Sequence, residues 1–170
     1  MKRVLVICGM VAAGVVVAGC GSDQASATQA AVQMAALQKK ADLYAIDQIE
    51  ATWHKAASMK DVDLMMSLWA DNATFQIGPQ TYSGKDQIRT FFATKAAPFK
   101  AGNIWVSDTP AYKIRITVSG NTGTLYFECH YVDVATRKVV VVVGSQVTVG
   151  RIHGRWMITN SVSATPILSP

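Results

Sequence analysis

The chain has 170 residues, half of them hydrophobic and 16% charged, with a formal net charge of +5. That length and apolar content fit one compact domain with its own core, and they exclude a disordered chain. The basic residues are scattered without a run or stripe, which excludes a phosphate backbone as partner, so no nucleic-acid function is expected.

Lys2 and Arg3 precede an apolar run over residues 4–17, shorter than the roughly 20 residues a spanning helix needs. A basic start, a short apolar run and small residues at its end make a secretory signal peptide. The quartet Val17-Ala18-Gly19-Cys20 resembles the bacterial lipobox, in which the cysteine is acylated and becomes the first mature residue. The resemblance implies a signal peptide over 1–19 and acyl chains of the palmitate type on Cys20. It also implies a lipid bilayer as partner and a location in the cell envelope, outside the cytoplasm. Two or three such chains suffice for stable anchoring. Losing Lys2 and Arg3 leaves 14 basic against 11 acidic residues, a mature charge of +3. Cys8 leaves with the signal peptide and Cys20 is acylated, so Cys129 is the one remaining thiol and no internal disulfide can form. Cys129 is expected as a small buried hydrophobe.

Residues 20–38 are rich in Ala, Ser, Gln and Thr and read as a tether, with the first helix starting between 28 and 40 and the domain covering 39–165. Leu43, Ile46, Ile49, Trp53 and Ala56 or Ala57 fall on one helical face, with Asp42, Asp47, Glu50 and Lys55 on the other. Asp61 is placed to cap a second helix carrying Leu64, Met65 and Leu68, with Asp63 in its first turn and Ala70-Asp71-Asn72 ending it. A short strand over 73–77 leads to a Gly78-Pro79 turn. Ser83 and Asp86 resemble a capping box for a third helix that buries Ile88, Phe91 and Phe92. Pro98, Gly102 and Asn103 mark a loop. Strands follow over 112–118, 124–132, 138–149 and 155–163, with turns at 119–123, 135–137 and His153-Gly154. The valine-rich third of these predicts a central strand covered on both faces. Helices followed by an antiparallel meander make an α+β pattern.

The run from Trp53 through Asp61-Val62-Asp63, Leu68-Trp69-Ala70-Asp71-Asn72-Ala73, Ser83-Gly84, Ile88, Phe91-Phe92 and Gly154-Arg155-Trp156-Met157-Ile158 resembles the nuclear transport factor 2-like superfamily, and within it the SnoaL-like and ketosteroid-isomerase-like domains. The resemblance implies a cone: a strongly curved antiparallel sheet wrapped around three N-terminal helices, with an apolar pocket at the open end and frequent homodimerisation through the sheet. It also assigns positions to the isomerases' proton-transfer groups. Counted without gaps, the base falls on Ile77, the helix tyrosine on Trp53 and the late acid near Gln146. Ile77 cannot accept a proton, and Trp53 and Gln146 can only hydrogen-bond a ligand. Fold alone does not give function.

Glu128 and His130 share a strand face and form the weak catalytic candidate. Leu125, Phe127, Cys129 and Tyr131 make the apolar face toward the pocket, which leaves Tyr126, Glu128 and His130 outside or at a dimer contact. Trp53 has the better phase toward the core, so His54 is expected at the rim or surface, and His153 in solvent. The three histidines lack ligand spacing, so no metal is expected; nor is any cofactor, because no phosphate loop or nucleophile elbow is present. The expected pocket is lined by Trp53, Trp69, Phe75, Phe92, Trp105, Phe127, Tyr131 and Gln146. The leading expectation is an envelope lipoprotein binding a small apolar ligand without catalysis. The alternatives are a docking or dimerisation module, and an isomerase, dehydratase or cyclase with His130 as base.

Overall fold

The structure, a computed structural model, describes residues 21–108 and 110–164, with side chains from residue 26 onward. The signal peptide and the acylation at Cys20 expected from the sequence fall outside the described residues. Residues from Leu37 onward form one compact unit, and the chain before them is a separate one. The described elements are α1 (Gly21–Met59), α2 (Val62–Met66), β1 (Trp69–Ile77), β2 (Gln80–Ser83), α3 (Lys85–Thr94), a 3-10 turn (Ala97–Phe99), β3 (Trp105–Ser107), β4 (Tyr112–Ser119), β5 (Thr122–Asp133), β6 (Lys138–Ile152) and β7 (Arg155–Ala164).

Helix α1 begins at Gly21, upstream of the 28–40 window that composition suggests. Residues 26–41 are all exposed, so burial does not drive this start; Ala and Gln favour the helix by intrinsic propensity and nothing in the stretch breaks it. From Asp42 onward α1 buries Ile46, Ile49, Trp53, Ala56 and Ala57. The polar face predicted for it loses two members, because Asp42 and Glu50 are buried. Asp42 accepts from Gln38 (2.9 Å) and the Trp156 indole (3.2 Å) and pairs with Arg151. Burial pushes its carboxyl up, but those hydrogen bonds outweigh burial and hold it below the usual carboxylate range.

Asp61 caps α2, its carboxylate accepting from Leu64 N at 2.8 Å. The helix stops at Met66 rather than at residues 70–72, because Trp69 onward is drawn into β1, beginning with the bond from Ile158 N to Leu68 O at 2.7 Å. The capping box predicted at Ser83 is displaced by one residue. Gly84, at φ 80°, is the N-cap, a conformation that favours glycine, and Gln87 reaches back to accept from Ser83 N at 3.0 Å.

Along the sheet the strands run β2-β1-β7-β6-β5-β3, with β4 also paired to β5. The far edge of β5 is thus shared: β4 takes its first half and β3 its last three residues. Neighbours are antiparallel except β1 and β7, which are parallel. The sheet is curved and unclosed, and register shifts at Tyr131/Val132 and Thr148/Val149 mark irregularities that bend strands. Strand β6 is central, but only one of its faces is covered along its second half, where Gln146 and Thr148 are exposed.

The core is aromatic. Trp53 packs against Trp69 (ring centroids 5.7 Å apart), Phe92 (5.6 Å) and Phe127 (5.5 Å), and such rings carry most of a small core's burial. Gly123 lets β4 cross close to β5, since a Cβ there would lie 2.6 Å from the Thr117 carbonyl oxygen.

Candidate functional site: an aromatic cavity backed by a buried polar line

A cavity of about 350 Å³ opens where the end of α3 and the 3-10 turn meet β1, β3, β5, β6 and β7. Trp53, Phe75, Phe92, Trp105 and Tyr131 line it, as do Ile77, Phe91, Val141 and Val143. Trp69 and Phe127 are fully buried and lie outside this lining. Gln146 is exposed and opposite Tyr126 and Val162, on the other face of the sheet. The extra residue at the Thr148/Val149 irregularity is Thr159 on β7, so β6 alternates regularly here and Gln146 faces away from its buried neighbours Ser145 and Val147.

The polar atoms of the wall are mostly paired within the protein. The Trp53 indole and the Cys129 sulfur both neighbour the Tyr131 hydroxyl. Ser163 Oγ pairs with Ser145 Oγ at 2.8 Å. Burial pushes the Tyr131 hydroxyl well above its usual range and the Cys129 thiol up to about 12, so both stay protonated.

Behind Tyr131 lies the cluster that sequence reasoning missed. His54, expected at the rim, is fully buried. Its Nδ1 is 2.7 Å from Ser107 Oγ, and its Nε2 is 3.6 Å from Cys129 Sγ and 3.5 Å from Glu50 Oε2. The last distance is too long for a good hydrogen bond, and that carboxylate oxygen is buried without a hydrogen-bond partner. Burial lowers His54 to about 4, opposed by a hydrogen bond to the Asp108 carbonyl. Burial raises Glu50 to about 7, helped by the nearby Asp47 charge and opposed by the bond its carboxyl accepts from Ala111 N–H. Placing the imidazole proton on Nδ1 lets Ser107 accept it and donate its own proton to Cys129. Nε2 is then the acceptor facing the thiol and Glu50.

A hydroxyl beside a neutral imidazole has the form of an activated nucleophile. Here neither reaches substrate: Ser107 and His54 are buried and absent from the cavity lining. The cluster instead ties α1 to β3 and β5, reinforced by Ser58, whose Oγ accepts from Ser107 N at 2.8 Å. One signal for it was present in the sequence. Glu50 and His54 are four residues apart and flank the Trp53 stripe, so they share a helical face.

The pair Glu128 and His130 sits on the opposite face of β5 from the cavity. Glu128, expected outside, faces outward yet is buried under its neighbours. It accepts from Lys113 (3.0 Å) and Tyr126 (3.1 Å) and lies 3.4 Å from His130 Nε2. Burial alone would raise its carboxyl, but these hydrogen bonds outweigh that and lower it. His130 stacks on Tyr112 with centroids 4.0 Å apart. A carboxylate committed to three partners and an imidazole stacked on a phenol form a structural knot, and neither residue lines the aromatic cavity.

Residues 38–162 match the SnoaL-like domain family. The chain belongs to that family. Solved structures agree on the fold of this SnoaL-like domain. A nuclear transport factor 2-like protein with a cystatin-like fold from Novosphingobium aromaticivorans is 18% identical, covering 84% of this chain and 91% of that one, with a TM-score of 0.67. A nuclear transport factor 2-like protein of unknown function from Pseudomonas putida is 14% identical over 77% of this chain and 98% of that one, at 0.66. A ketosteroid isomerase-like protein from Erwinia carotovora atroseptica is 14% identical over 76% and 98%, at 0.57. No curated protein matches the sequence.

Proposed function

We propose that this chain is a lipid-anchored protein of the bacterial cell envelope whose SnoaL-like domain holds a small apolar molecule without converting it. The observation that carries the reading is the cavity, about 350 Å³ with a wall dominated by aromatic and aliphatic side chains, within the range of small-molecule sites. The two wall positions that the family resemblance assigns to proton transfer are Ile77 and Trp53, and neither side chain exchanges protons near neutral pH. The titratable side chains of the wall are Lys95 and Tyr131. The anchor rests on the quartet ending at Cys20.

Native mass spectrometry of the protein, extracted gently from its own host's membranes, tests the ligand. A small molecule bound at fixed stoichiometry supports the reading and gives its chemical class; a clean apo mass counts against it. Replacing Cys20 by Ser should abolish lipid labelling and membrane retention, and persistence of both overturns the anchor. A second reading, docking or homodimerisation through the outer sheet face, is favoured by exposed Tyr112, Val140 and Val162 on that face, and an apo mass would turn attention to it.

A further inference from the structure

The cavity is apolar but not neutral. Of its polar wall groups, the Ser163 hydroxyl is paired with Ser145, and the Trp53 indole and the Tyr131 hydroxyl, both uncharged, neighbour each other. Lys95 is different. It is the residue that ends α3, it lines the cavity, and its side chain is exposed. Its ammonium lies 5.3 Å from the centroid of the Tyr82 ring and 3.5 Å from the Tyr82 hydroxyl oxygen, whose own proton goes to Gln80 Oε1 at 2.7 Å. Lys85, Arg89, Lys113 and Arg151 each face a carboxylate, from Asp71, Asp63, Glu128 and Asp42 in turn. Among the described residues no carboxylate lies within ion-pair distance of Lys95, and none lines the cavity.

A wall of hydrocarbon with one cation at its edge has a definite complement. Resting on the reading above, we propose that the ligand is a small amphipathic monoanion: an apolar body in the aromatic cavity and one anionic group, a carboxylate in its simplest form, meeting Lys95. The apolar body leaves water without displacing any hydrogen bond of the wall. The anionic group stays at the exposed edge, where it keeps part of its hydration and gains a charge-assisted hydrogen bond. The lysine is held only by a phenol and a ring face, both of which it can release without uncovering a buried charge. A cationic head group is disfavoured at the same place by direct repulsion.

The test uses the full chain in lipid nanodiscs, with empty nanodiscs as the blank. Octanoate, octan-1-ol and octylamine are titrated, and the indole emission of Trp53 and Trp105, which line the cavity, reports occupancy. Octanoate should bind about tenfold more tightly than the alcohol, and the amine more weakly still. Lys95→Met, which keeps the aliphatic stem, should bring octanoate to the alcohol's level, and Val141→Trp should abolish binding of both by filling the cavity. Equal affinity for octanoate and octanol overturns the inference while leaving an apolar binder in place. A preference that survives Lys95→Met, or octanoate binding that survives Val141→Trp, also overturns it. Failure of all three probes to bind overturns the inference and the binding reading together. Lys95 is exposed, so its replacement leaves the core intact.

Discussion

Replacing Glu50 by Gln should change how the stability of the domain depends on pH, because Glu50 and His54 pull in opposite directions. His54 falls from the ordinary 6.5 to about 4 in the folded chain. Between those values the unfolded chain holds more protons at this site, so stability rises with pH across the interval. Glu50 rises from 4.5 to about 7. The folded chain then holds the extra proton, so its contribution is complete below pH 4.5 and is lost as pH climbs through 7. At 1.36 kcal/mol per pH unit each effect amounts to at most roughly 3 kcal/mol. In the parent protein the two slopes should nearly cancel between about pH 4.5 and 6.5. Glu50→Gln keeps the shape of the protonated acid: the amide oxygen can accept from Ala111 N–H and the amide nitrogen can face His54 Nε2. The variant should match the parent at pH 4.5 and then gain with pH through the His54 slope alone. By pH 8 it should exceed the parent by up to roughly 3 kcal/mol. Urea unfolding at half-unit pH steps reads this directly, because with a slope near 2 kcal/mol/M the midpoint at pH 8 moves up by roughly 1.5 M. Parallel stability curves for variant and parent from pH 4.5 to 8 would refute the account of Glu50 as a buried acid held protonated.

Gly123→Ala should destabilise the domain by about 1–3 kcal/mol, read as a lower urea midpoint, because its Cβ would meet the Thr117 carbonyl oxygen at 2.6 Å with Ile46 and Val149 close by. A midpoint unchanged within error would mean that β4 yields more easily than its pairing implies. Cys129, free and buried with a thiol pushed up to about 12, should resist a thiol reagent in the native chain and react fully in urea. Native labelling faster than global unfolding would show a local opening of β5. Trp105→Ala, at a half-buried wall position, should weaken ligand retention while the urea midpoint falls by less than for Trp53→Ala, whose ring is in the middle of the core. Substantial loss of fold in Trp105→Ala would remove it as a probe of the cavity.

Much of the fold was readable from the chain. The stripe from Ile46 to Ala57, the cap at Asp61, the alternation from Leu125 to Tyr131 and the Gly154 turn all follow from period, capping and turn chemistry acting within a few residues. What escaped depends on contacts between distant residues. Adjacent helical residues diverge by about 100°, and that spacing argued that only one of Trp53 and His54 turns inward; α1 buries a wider arc, which takes in both. Nothing in residues 69–77 or 155–164 announces that these segments pair in parallel. Gln146 was misplaced because a gapless count gives a position along β6 but not which of its two faces meets the cavity. The cavity wall was legible as a set of aromatics, whereas the division between those that line it and those that fill the core below it is decided by packing.

The parallel contact between β1 and β7 ties the helical half of the chain to its final strand; the Thr74–Asn160 hydrogen bond alone joins residues 86 apart in sequence. The hairpins β4–β5, β5–β6 and β6–β7 can form from neighbouring segments as the chain emerges, but β1 has only β2 as a neighbour until residues 155–164 arrive. Closing so long a loop is the slow step in a topology of this kind. The cavity, which takes Phe75 and Ile77 from β1 and Ser163 from β7, is therefore among the last features to take shape. A chain interrupted before that strand would keep the β4–β5 and β5–β6 hairpins but lack the wall that closes the cavity.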